Sequence, residues 1–198
     1  MTQRSFIVLA VFAASLFSAG TAVSSEFRDG FQPAHTEEST YFKIYIEDGV
    51  NLIDLTMSLV VPPSLKAVIR QPIQSYDELS LSNELDILYL AVSEILDIHV
   101  VKFKCSVKVC RNSSSLESLG ARLYGSNIPR TAGFYSAELN TLYINAEDIS
   151  IHIAGHELTH AVQTAYFVIP PPQTVQEILS GYVEFQFRKY TNTLPGKK

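Results

Sequence analysis

No basic patch or run of Lys and Arg stands out in this 198-residue chain, whose formal net charge is -5. That absence excludes the usual electrostatic footprint of a nucleic-acid-binding protein. Cysteine is scarce, with only Cys105 and Cys110 present. No second Cys/His pair with ligand spacing accompanies them, which argues against a cysteine-based zinc module. None lies near the end of the N-terminal apolar segment, which argues against a lipid-modified N-terminus. No internal repeat is visible, so nothing points to a solenoid. Charged residues make up only 18% of the chain and hydrophobic ones 46%. Such a composition supports a packed core and one domain rather than disorder.

What is present begins with a leader. Arg4 supplies a positive charge, residues 6–18 are apolar but too short to span a bilayer comfortably, and Gly20-Thr21-Ala22 offers small side chains. Residues 1–22 therefore read as a signal peptide cleaved after Ala22, with Ser24 as second choice and an uncleaved anchor as the alternative. The expected location is exported, periplasmic or secreted, with no stable membrane span after cleavage. In an oxidising compartment, Cys105 and Cys110 are close enough in sequence to close a small disulfide loop; two buried free thiols are the other reading.

Residues 23–40 are polar and read as a flexible lead-in to a single domain at 41–198. Aromatic and β-branched residues at 41–46 predict a strand. A turn at Asp48-Gly49 precedes a short helix at 52–59, and Pro62-Pro63 breaks the pattern. Helical spacing of apolar residues covers 79–96. A strand is expected at 98–103, with His99 as a structural strand residue. Ser113 to Ser115 cap a helix through Leu123 that Gly125 ends. Residues 133–135 and 141–144 read as a hairpin. A helix follows at 148–167, capped by Asp148 or Ser150, then the Pro170 to Pro172 break, then a last helix at 174–190. This order of elements gives an α+β fold: a small mixed sheet, a motif-bearing helix and a C-terminal helix.

The motif is His156-Glu157-Leu158-Thr159-His160, an HExxH pattern. Residues four apart on a helix lie roughly 40° apart around its axis, so both imidazoles project to one side and can share a metal. Glu157 lies beside that face and can reach a water rather than the metal. Ala154, Leu158, Ala161 and Ala165 form an apolar stripe on the far side, which lets the helix bury one face and turn the other to a cleft. A catalytic zinc needs a third protein ligand and one open position. Glu177 is favoured, because a helix returning antiparallel brings its first turns beside the second half of the motif. Glu184 and His152 are the alternatives. Gly181, one turn after Glu177, would let the two helices approach closely.

These residues resemble the gluzincin group of zinc metallopeptidases, in which a glutamate from a downstream helix joins the HExxH histidines. The resemblance covers about residues 132–190 and is nearest to small, minimal exported bacterial members. It implies Zn2+ held by His156, His160 and Glu177, Glu157 as general base, and hydrolysis of a peptide or protein substrate. It further implies that the second hairpin strand, Thr141 to Ile144, forms the cleft rim and pairs with extended substrate. Tyr166 or Tyr182 would serve as transition-state donor. Gly181 stands where the group has an aspartate that orients a ligand histidine. The alternative function is a catalytically degenerate zinc-binding interaction protein of the cell envelope.

Overall fold

A computed structural model describes residues 28–72, 79–126, 128 and 130–194. The expected signal peptide, residues 1–22, and the start of the lead-in lie outside the described residues. Within them the fold is α+β, with a five-stranded mixed sheet in the order β1-β2-β3-β5-β4. The strands are β1 (His35–Glu38), β2 (Phe42–Ile46), β3 (Cys105–Cys110), β4 (Gly133–Ser136) and β5 (Thr141–Asn145). The central pairs β2/β3 and β3/β5 are parallel, and the outer pairs β1/β2 and β4/β5 are antiparallel. The helices are α1 (Leu52–Leu59), α2 (Pro63–Lys66), α3 (Leu81–Leu96), α4 (Ser113–Tyr124), α5 (Ile151–Tyr166) and α6 (Gln173–Tyr190). No described helix is long and apolar enough to cross a membrane.

Strand alternation divides the interior in two. Phe42, Ile44 and Ile46 of β2, Val107 and Val109 of β3, and Leu142 and Ile144 of β5 face the larger core, which α1, α3, α5 and α6 cover. Tyr45, Cys110 and Tyr143 point the other way, to a smaller core closed by Leu116 and Leu119 of α4 and by Phe31. Helix starts are set locally. Asn51, Ser80, Asn112 and Ser150 each accept backbone N–H bonds at the first turns of α1, α3, α4 and α5. Asn112, not the serine run, caps α4, and Gly125 ends it in a left-handed conformation.

Three sequence expectations are corrected. The first is the flexible lead-in at 23–40: its described part is built into the fold. Asp29 and Phe31 are buried, and β1 adds to the sheet as a polar edge strand, where exposed side chains cost little. The second is the strand at 98–103, which is a loop because Asp97 and Lys102 take left-handed φ angles of 52° and 59°. His99 sits in this loop, 3.0 Å from Gln71 Nε2. The third is the disulfide. Cys105 and Cys110 are the two ends of one extended strand, about 16 Å apart at ~3.3 Å per residue, and an odd separation sends them to opposite faces. Both are free and buried. Burial pushes the Cys105 thiol up to about 12, and the Cys110 thiol up as well, which keeps both inert.

What ties the start of the described chain to the sheet is a buried ion pair. Lys108 Nζ lies 2.7 Å from Asp29 Oδ2, with side-chain exposures of 1% and 0%. The Tyr143 hydroxyl donates to the same carboxylate oxygen at 2.5 Å, and the Phe31 N–H donates to Oδ1 at 3.1 Å. Burial alone would raise the Asp29 pKa, but these donors outweigh it and hold the carboxyl below its ordinary value.

Asp29→Asn should destabilise the protein by about 3–5 kcal/mol, because it leaves the Lys108 charge buried without its counterion. Urea unfolding checks this, and Asp29→Asn combined with Lys108→Met should recover part of the loss. Unreduced protein, unfolded and alkylated, should gain two adducts by mass spectrometry, one at each cysteine.

Candidate metal centre

Two of the site's elements are consecutive in sequence and antiparallel in space. Paired contacts between α5 and α6 run in opposite directions. Gln163 Nε2 donates to Gln176 O, His160 Nε2 lies 3.3 Å from Ser180 Oγ, and His152 Nε2 lies 2.8 Å from Thr191 Oγ1. The Pro170 to Pro172 segment makes this reversal, since proline cannot continue α5. Ala154, Leu158 and Ala161 are buried as the apolar stripe requires, while Ala165 at the end of the helix is exposed.

The close approach falls elsewhere than at Gly181. A Cβ added at Gly181 would meet nothing within 4 Å, whereas one at Gly155 would meet the Phe187 ring at 2.6 Å. Gly155, directly before His156, is therefore where the helices touch, and the Gly181 expectation is corrected. A residue without a side chain one position before an HExxH is a cue that sequence reading passed over.

Helix packing brings Glu177 to both histidines. Its Oε2 lies 3.5 Å from His156 Nε2 and its Oε1 lies 3.7 Å from His160 Nε2. One ligand atom from each of the three residues falls within 4.8 Å of the other two. A tetrahedral zinc with bonds of ~2.0–2.1 Å sets its ligand atoms about 3.3–3.4 Å apart, so the donor set fits with small side-chain movements. Burial lowers the pKa of His160, with the nearby His156 adding to the effect against the pull of Glu177. This favours the neutral ring, which is the ligating form.

The alternatives for the third position face away. Glu184 Oε2 lies 3.3 Å from Nδ1 of His156, the opposite nitrogen from the one beside Glu177. His152 is engaged with Thr191 and Thr193.

A cleft of about 510 Å³ opens over these residues, lined among others by Phe134, Tyr135, Glu157, Thr164 and Gln176. Glu157 is turned into it from α5, and one carboxylate oxygen accepts the backbone N–H of Tyr135 at 3.1 Å. Burial raises its pKa to about 7; the Tyr135 N–H pulls the other way, and the charges of Glu177 and Glu184 push it further up.

Two expectations about the rim and the donors are corrected here. Strand β5 is paired on both sides, to β3 and to β4, so it has no free edge to offer. The edge strand beside the cleft is β4, because the chain places the first hairpin strand outermost. Tyr166 and Tyr182 are 52% and 47% exposed and neither lines the cleft. Tyr135, which sequence reading assigned only to a strand, does line it. Its hydroxyl donates to Asn140 Oδ1 at 3.0 Å, and burial pushes its pKa up to about 12.

No protein family, curated protein or solved structure matches the chain.

Gly155→Ala should cost about 1–3 kcal/mol of stability, because its new methyl group has to displace a buried phenyl ring. Gly181→Ala, with open space at its Cβ, should be neutral or stabilising by up to ~1 kcal/mol. Denaturant unfolding of the two variants side by side checks the contact; equal effects would contradict it.

Proposed function

We propose that the protein is an exported zinc-dependent peptidase, with His156, His160 and Glu177 as ligands and Glu157 as general base. The observation that carries this reading is convergence. Three ligand atoms of the right chemistry lie within 4.8 Å of one another, in a cleft that also receives the motif glutamate. Two imidazoles and a carboxylate form a catalytic donor set, which leaves one zinc position open.

When bound, zinc would supply Lewis acidity toward a carbonyl oxygen and lower the pKa of a nearby water. The remaining work falls to the chain's own groups. Glu157 is placed for proton transfer in the cleft beside the ligand atoms, and burial raises its carboxyl to about 7 before the charge of any bound metal lowers it. The Tyr135 N–H fixes the orientation of that carboxylate. An extended peptide would lie in the cleft alongside β4, the sheet's outer strand, which borders it. A zinc-binding interaction module without catalysis has no use for a carboxyl held at a cost in such a site, and this favours the enzyme.

The test is zinc content and digestion of a peptide library by the purified protein. About one zinc per chain is expected. Glu157→Gln should keep the metal and lose hydrolysis by about 10²-fold or more. Glu177→Gln should weaken zinc binding as well as hydrolysis. Full zinc occupancy in the His156→Ala/His160→Ala double variant, or unchanged cleavage by Glu157→Gln, would overturn the proposal.

A further inference from the structure

The two ring nitrogens of His156 meet two different carboxylates of the same helix. Nε2 lies 3.5 Å from Glu177 Oε2. Nδ1 is buried and lies 3.3 Å from Glu184 Oε2, at an angle short of a formed hydrogen bond. χ2 of an imidazole is a soft torsion, so the ring is able to turn toward that oxygen. No other acceptor serves Nδ1 among the described residues.

Glu184 is itself held. Its other oxygen, Oε1, accepts from Nε of Arg188 at 3.0 Å and from Nη2 at 2.9 Å. Arg188 stands one turn further along α6, so its fork and the carboxylate are neighbours on one helix face. Between Glu177 and Glu184, two turns apart, Gly181 presents no side chain. The space a Cβ would enter there holds nothing within 4 Å.

We infer that Glu184, clamped by Arg188, is a positioning residue for His156: it accepts the Nδ1 proton and leaves Nε2 as the lone-pair nitrogen facing Glu177 and His160. A neutral imidazole carries one proton, and the group bonded to one nitrogen decides which nitrogen is left to ligate. A buried Nδ1–H also needs an acceptor, and Glu184 is the one in reach. The carboxylate missing at Gly181 is in this way supplied one turn later. The purpose of the arrangement rests on the proposed metal centre; the geometry does not.

Two measurements separate these parts. Side-chain 15N NMR of the metal-free protein, at a pH where the ring is neutral, reports which nitrogen of His156 carries the proton. Competition with a chromophoric chelator reports zinc affinity. In the metal-free wild type, Glu184 at Nδ1 and Glu177 at Nε2 compete for the ring proton, and Nδ1–H should hold a measurable share. Glu184→Ala should shift the population toward Nε2–H and weaken zinc binding by about 10- to 100-fold. Glu184→Gln, which keeps a neutral acceptor oxygen, should fall between wild type and Glu184→Ala. Arg188→Ala should reproduce part of the effect while leaving His156 and Glu184 intact. An unchanged Nδ1–H signature in Glu184→Ala would overturn the inference, and so would wild-type zinc affinity in that variant. A wild type that binds no zinc but whose His156 proton moves with Glu184 would sink the metal reading alone.

Discussion

Where α6 crosses α5, the ring of Phe187 fills the space that any side chain at position 155 would occupy. This contact sets both the distance and the roll of the two helices. With Phe187 lodged against Gly155, the next turns of α6 toward its N-terminus fall opposite His156 and His160. Ser180 and Glu177 arrive beside the second histidine, and Glu184 arrives behind the first. A rotation of α6 by one residue, about 100°, would carry both carboxylates off the histidine face. The candidate centre therefore depends on a packing contact that includes none of its polar groups.

The other side of the site is set by the sheet. β5 is locked between β3 and β4 in the larger core, so its hairpin partner is left as the exposed edge. That edge lies above α5 and gives Tyr135 N–H to Glu157. The same strand thus does two things: it holds the proposed base and presents a border along which an extended chain could lie. Burial raises the Glu157 pKa while the backbone donor restrains it, so the group ends near neutrality rather than fully protonated. On the opposite face, Asp29, Lys108 and Tyr143 anchor the segment before β1 through charge and hydrogen bonding, beside the smaller core that α4 closes.

Most elements of the fold were legible as local signals. The α1 helix runs over 52–59 as read, and the last two helices differ by only a few residues at their ends. Capping residues, proline breaks and apolar periodicity act within a turn or two, so short-range reading captures them. The failures share a cause. A strand at 98–103 and a loop between Cys105 and Cys110 both hinged on where one extended segment begins. Two left-handed residues moved it past Phe103. Once the cysteines stood at the two ends of a strand, their short sequence separation no longer meant closeness. The lead-in looked flexible because a polar edge strand and a polar linker have the same composition, and only pairing with β2 distinguishes them.

The sequence by itself determined that His156 and His160 share a face with Glu157 beside them, because a spacing of four is a property of the helix alone. It also determined that the motif helix stops before Pro170, since three prolines cannot continue a helix. Only the tertiary structure decided which of the two later glutamates meets which nitrogen of His156, that Gly155 rather than Gly181 is the point of contact, and that β4 rather than β5 borders the cleft. Each of these depends on how one element is rolled or ordered against another. That is settled by packing between residues distant along the chain, and no local spacing encodes it.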